Sequence, residues 1–240
     1  MTELAGRVVV LSPHLDDAVL SLGALIARSV RSGANVEVVT VFAGDPESTA
    51  PAGDWDSRSG FRSAGEAARA RRDEDRQACR ILGATPVWLT FQDDQYGAHA
   101  DETAVYCAIA SVAAGADAVL VPGFPLMHSD HALLAELVVR ESLPSSRTAL
   151  YVEWPYAHAA LAAGSTPIVP EVLRELVPGE TLFASATAHR RDLVGKWRAV
   201  RRYRSQLPLL GRLVARSRPG AAGLIWAETR AGGETIAWLP

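Results

Sequence analysis

Short β-branched runs alternate with amphipathic helical stretches through the first 150 residues, and that alternation leaves few folds open. Arg7-Val8-Val9-Val10-Leu11 reads as a strand and Ser12-Pro13-His14-Leu15-Asp16-Asp17 as a loop. A helix then runs to Gly33, with Val19, Leu22, Ile26 and Val30 recurring at three- and four-residue steps and Gly33 as its stop. A second strand, Val36–Val41, lies one crossover helix away, which makes a right-handed βαβ unit. Residues 43–60 carry Pro, Gly, Ser, Thr and Asp without periodicity and read as a long loop. Further along come a charged helix Ser63–Leu82 closed by Gly83, a strand Val87–Leu89 and a helix Thr103–Ala114. These lead to the apolar strand Ala118–Val121, a loop Pro122–Ser129, a helix His131–Glu141 and a strand Leu150–Val152. The pattern predicts an α/β fold: a Rossmann-like, doubly wound, mostly parallel sheet with helices on both faces. The chain reads as one domain over 1–240, with a core at 5–155 and an elaborated C-terminal part at 156–240. In that part we expect a short helix Pro170–Leu176 and a basic helix His189–Gln206 with Leu193, Trp197, Val200 and Tyr203 along one side. A hairpin around Gly232-Gly233 is expected over Ala222–Trp238.

Composition narrows the partners. Hydrophobic residues at 48% and charged ones at 21% are enough for a sizeable core, which excludes wholesale disorder. The net charge of −3 and the absence of a basic arm argue against nucleic acid. No apolar stretch approaches the roughly 18 residues of a membrane span, and the first residues have no signal-peptide pattern, so a cytoplasmic protein is expected. Cys79 and Cys107 are too few for a disulfide framework and read as reduced, buried residues on helices. Lys196 is the sole lysine among the basic residues.

Open parallel sheets bind ligands beyond the carboxyl ends of their strands. Two polar clusters fall there: His14, Asp16 and Asp17 after the first strand, and His128, Asp130 and His131 after the fourth. Two histidines and a carboxylate with one open position suit a catalytic zinc or iron(II) ion. The blander readings are a helix cap for Asp16 or Asp17 and surface-loop polarity for His128 and His131. The coincidence of His-x-x-Asp and His-x-x-His at two strand ends favours a metal. No glycine-rich phosphate loop follows the first strand, which disfavours a nucleotide-binding module.

Ser12-Pro13-His14-Leu15-Asp16-Asp17-Ala18 together with His128-Ser129-Asp130-His131 resembles the paired signature of the PIG-L/LmbE-like zinc-dependent N-deacetylases. The resemblance extends to Arg71-x-x-Glu74 with Ala78, Leu82 and Gly83, to Asp93-Asp94, and more weakly to Glu153-x-Pro155-Tyr156 and Tyr203-x-Ser205-Gln206. It implies Zn2+, with other divalent metals such as Fe2+ as alternatives, held by His14, Asp17 and His131. It further implies Asp16 as general base and a protonated His128 stabilising the oxyanion, with Asp130 bonding to an imidazole. Either Asp16 or His128 would return the proton to the leaving amine. Arg71 and Asp93 would contact substrate; for Arg71 the competing reading is a solvated helix face shared with Arg69, Arg72, Arg76 and Arg80. Trp55 and Tyr156 are able to stack on a sugar or to pack in the core. The basic residues of the 189–206 helix are able to bind an anionic substrate group or simply to face solvent. Leu15 and Ala18 depart from the family's usual Pro and Glu, which points away from mycothiol-pathway substrates. The activity implied is removal of an N-acetyl or N-acyl group from an amino sugar or glycosylated metabolite. An amidase acting on a larger acyl or thiol-conjugate amide is one alternative, and a non-hydrolytic sugar- or nucleotide-binding module is another. The family also makes a homo-oligomer an option.

Overall fold

The computed structural model describes residues 4–97, 100–157, 184–185, 189–214 and 234–239. Strand β1 (Arg7–Ser12) leads to helix α1 (Asp17–Arg31), and β2 (Asn35–Thr40) is followed by α2 (Asp54–Arg58) and α3 (Ala64–Leu82). Next come β3 (Thr85–Trp88), a 3-10 turn (Asp94–Tyr96), α4 (Glu102–Ala113), β4 (Ala118–Phe124), α5 (Ser129–Glu141) and β5 (Thr148–Val152). The C-terminal part contributes β6 (Ala184–Ser185), α6 (Arg190–Val200), α7 (Leu207–Val214) and β7 (Thr235–Trp238). The strands form one sheet in the order β3-β2-β1-β4-β5-β7-β6, parallel from β3 to β5, with β7 antiparallel to both β5 and β6. This is the doubly wound α/β fold. The order reverses between β1 and β4, which are adjacent and parallel with Val8 opposite Ala118. A crevice therefore opens where the connections leave those two strands in opposite directions.

Side-chain alternation along β1 builds the two layers. Val8 and Val10 face α1, α3 and α6, meeting Val19, Leu22, Ala78, Leu82, Ala199 and Val200. Val9 and Leu11 face α4 and α5, meeting Val105, Ile109, Leu134 and Leu137. Each such residue, fully buried, contributes roughly 1.5–3 kcal/mol relative to exposure.

Several expectations need correction. Strand β4 runs three residues beyond Val121, to Phe124, and α5 starts at Ser129, so the loop between them is short. The 43–60 segment contains α2. Helix α6 ends at Val200, and its packed face is Asp192, Lys196, Ala199 and Val200; of the expected apolar side Val200 and Tyr203 are buried, while Leu193 and Trp197 are exposed. The periodicity misled for the first turns because Asp192 and Lys196, not Leu193 and Trp197, are turned inward there. Cys79 is buried, but Cys107 is exposed on α4. Strand β7 pairs with β5 and β6, and the earlier half of the expected hairpin lies outside the described residues, as does Pro170–Leu176.

Lys196 and its partner Glu234 explain a break in α1. Leu22 leaves helical geometry at φ −129°, which frees the N–H groups of Ala24 and Leu25. Glu234 accepts both, at 2.7 and 2.6 Å, and Lys196 Nζ donates to the same carboxylate at 2.8 Å. Gly23 is required here: a Cβ would sit 2.8 Å from Lys196 Cγ.

Candidate metal centre and cavity

Ser12 organises the β1–α1 loop. Its hydroxyl accepts from the Ala18 N–H at 3.0 Å and donates to the His14 carbonyl at 2.6 Å, so the helix start is capped by a residue outside the acidic pair. Asp16, at the cap position, makes no capping side-chain bond. Asp17 Oδ2 accepts from the His14 N–H at 2.8 Å, which folds the loop back on itself. In the loop after the neighbouring strand β4, Leu126 takes a left-handed φ of 54° and donates its N–H to Glu153 Oε2 at 2.9 Å. His128 caps α5, its Nδ1 accepting from the Asp130 N–H at 3.3 Å, and His131 sits buried in the first turn.

These two loops bring three donor atoms together. His14 Nδ1 and His131 Nε2 are 3.2 Å apart, and each lies 3.3 Å from Asp17 Oδ2. Ligands at about 2.0–2.1 Å from a tetrahedral zinc are about 3.3–3.4 Å from one another, so the triangle has the size such an ion needs. The outward nitrogens are anchored: His14 Nε2 lies 3.0 Å from Asp130 Oδ2, and His131 Nδ1 bonds Glu153 Oε1. With a carboxylate behind each ring, the inward nitrogen of each is the one left to accept. The imidazole that Asp130 bonds is thus that of His14. A second, partly shared group of donors is His14, Asp93, His128 and Asp130, within 4.8 Å of one another.

Burial and charge set the electrostatics. Burial opposes a charged His131, but Glu153 and Asp17 outweigh it and push its pKa up to about 10. His14 is raised well above its ordinary value against burial by Asp93, Asp130 and Asp17. Asp17 is driven well below the carboxylate range, because His131 and His14 outweigh its burial. Asp16 goes the other way, raised to about 7 by burial and then by the Asp17 charge. His128 is lowered, first by burial and then by His14 and His131. Its Nδ1 accepts from the Asp130 N–H and its Nε2 lies 3.4 Å from Asp94 Oδ1, an arrangement that suits a ring donating through Nε2–H.

A cavity of about 190 Å³ opens beside the triangle, lined by the polar His14, Asp16, Arg71, Asp93 and His128 and by Trp55, Tyr156 and Leu210. Arg71 is buried: Nη1 is 3.3 Å from Asp56 Oδ1 and 4.0 Å from Asp93 Oδ2, and Nε has no partner among the described residues. The solvated-face reading fits the exposed Arg76–Asp73 pair instead. Asp93, bonded by the N–H and Nε2 of Gln95 at 3.1 and 2.9 Å, is held down at about 2, His14 and Arg71 outweighing burial. Trp55 is fixed by Nε1 donation to Gln206 Oε1 at 2.6 Å. Gln206 Nε2 in turn donates to Ser205 Oγ, whose hydroxyl donates to Glu74. Sequence reasoning missed Asp56, which accepts from Tyr96 Oη at 2.6 Å as well as from Arg71. It also gave Glu153 no role, although a Glu at the carboxyl end of the strand beside β4 was the available signal.

A family model described as PIG-L, GlcNAc-PI de-N-acetylase, matches residues 9–141. The chain belongs to the PIG-L family. The match covers both metal-centre loops of this PIG-L chain and ends with α5. Among solved structures it is similar to the A40926 pseudoaglycone deacetylase Dbv21, at 26% identity and TM-score 0.74, over 97% of this chain and 96% of that one. It is also similar to the zinc-inhibited form of teicoplanin deacetylase Orf2, at 23% identity and TM-score 0.73, over 97% of each chain. The N,N'-diacetylchitobiose deacetylase from Pyrococcus horikoshii aligns at 20% identity and TM-score 0.56, over 98% of this chain and 84% of that one. No curated protein matches the chain.

Proposed function

We propose that this PIG-L chain is a zinc-dependent N-deacetylase that removes an acetyl group from an amino sugar carried on a glycosylated metabolite. The reading rests on the triangle of His14, Asp17 and His131 donors at 3.2–3.3 Å, and it is supported by the family match and the likeness to Dbv21. Those three side chains would hold the ion, with Asp130 and Glu153 orienting the imidazoles. Bound there, a divalent cation lowers the pKa of a coordinated water and polarises the amide carbonyl.

The chain's own groups account for the rest. Asp16, poised near neutral pH, takes the proton of the attacking water and returns it to the departing amine nitrogen. The neutral His128 donates through Nε2–H to the oxygen on which negative charge develops. Arg71 Nε, buried without a partner among the described residues, and the ionised Asp93 orient the hydroxyls of the sugar, while Trp55 and Tyr156 offer it aromatic faces. Acetate and a free amine leave.

Mass-spectrometric screening of N-acetylated amino sugars and glycosides with zinc-loaded protein tests this. Loss of a single acetyl group from a glycoside is expected, and no loss from any compound would refute it. A panel of longer acyl chains separates the deacetylase from an amidase for larger acyl groups.

A further inference from the structure

We infer that Asp56, standing behind Arg71 and not on the cavity wall, is a specificity-determining residue: by compensating the guanidinium it makes the cavity take an uncharged sugar and turn away one that carries a phosphate or carboxylate. This deepens the reading above and rests on it only in placing the sugar in this cavity. Among the described residues lining that space Arg71 is the one guanidinium or ammonium, and so the group an anion would seek. Its Nη1 instead lies 3.3 Å from Asp56 Oδ1 and 4.0 Å from Asp93 Oδ2. Burial opposes the Arg71 charge, and Asp56 leads the carboxylates that outweigh it, ahead of Asp16 and Asp93. With two carboxylates against one cation, Arg71 offers a hydroxyl its Nε–H but offers an anion no net charge.

Asp56 is built into that position. It is 2% exposed, its Oδ2 accepts from Tyr96 Oη at 2.6 Å, and its N–H donates to Gln95 Oε1 at 3.2 Å. Gly53 permits the close approach of α2 to Gln95, since a Cβ there would lie 2.5 Å from the same Gln95 oxygen. An incoming anion cannot draw Arg71 away without leaving the Asp56 carboxylate buried and short of its counter-charge, which is strongly unfavourable. The wider field has the same sign. Asp16, Asp17, Asp93, Asp130 and Glu153 are also buried around the site, and low-dielectric walls focus their repulsion on an anionic group inside.

Binding measured by ligand-observed NMR tests this without hydrolysis. The probes are N-acetylglucosamine, its 1-phosphate and its 6-phosphate, with the full chain kept metal-free by chelator so that no phosphate binds through an ion. Wild type should hold the neutral sugar at least about 10-fold more tightly than either phosphate, the effect of a unit charge several ångströms away in a partly buried site. Asp56→Asn keeps an acceptor for Arg71 and a partner for Tyr96 Oη but removes the charge, and should narrow that gap by about 10-fold through tighter phosphate binding. Tyr96→Phe leaves the charge in place and should leave the gap at its wild-type size. Equal or tighter binding of a phosphate to wild type, a comparison that needs no variant, would overturn the inference and leave the deacetylase reading standing. A gap unchanged in Asp56→Asn would overturn the role of Asp56, again without touching that reading. Binding of none of the three overturns the inference and counts against an amino sugar in this cavity, while acetyl release in the hydrolysis screen judges the deacetylase separately.

Discussion

Asp16 and Asp17 are chain neighbours whose surroundings drive their protonation apart, one up to about 7 and the other well below the carboxylate range. Such a split separates a proton-transferring group from a charge-holding one. Asp16→Asn should keep its metal content by elemental analysis and lose turnover by about 10²–10⁴-fold; an active variant would remove Asp16 as the base. Activity should fall as pH drops through 7 or below, since a nearby cation pulls the Asp16 pKa downward. His131 gives a prediction for the metal-free protein. Its pKa is raised to about 10, so the stability from its Glu153 and Asp17 contacts is complete below about 6.5, the value for the unfolded chain. It is lost as pH climbs through 10. Calorimetry with chelator present should show the melting temperature falling over that window, and a flat profile would contradict the assignment. Glu153→Gln should weaken metal binding by about 10–100-fold, measured by competition with a chromophoric chelator.

At the scale of elements, the kink in α1 depends on a carboxylate from the far end of the chain. Lys196→Met leaves Glu234 buried with its backbone donors but without its counter-charge, and should cost about 3–5 kcal/mol in urea unfolding. A midpoint unchanged from wild type would show that the two backbone bonds suffice. This is also where sequence reasoning reached its limit. Strands β1, β2 and β4 were legible because apolar β-branched runs bounded by Gly and polar loops have few other uses. The metal-centre loops were legible because histidine and aspartate recur at short spacing directly after such strands. Asp56 was illegible: it stands in an aperiodic loop, and its partners Arg71 and Tyr96 are 15 and 40 residues away. Glu234 was hidden for the same reason, bonding helix residues 209 and 210 positions earlier. Helix α6 was misread on the side of Leu193 and Trp197 because apolar spacing carries no information about a buried ion pair.

For the molecule as a whole, the sheet order places the family signature at the one point where the chain winds away in both directions. The proposed metal ligands and the carboxylates behind them follow the ends of β1, β4 and β5, three adjacent strands of one sheet. Zinc should therefore stabilise the entire fold, by about 4 kcal/mol at a thousandfold excess over Kd, read as a rise in melting temperature. His131→Ala should abolish that rise.

The buried ion pair behind α1 has a practical corollary. Because Lys196 is the chain's single lysine and lies enclosed against Glu234 and Gly23, a lysine-specific endoprotease has one peptide bond to cut and no access to it in the native state. Conversion from one band to two on a gel then counts opening events of the helical layer itself, without any label or dye.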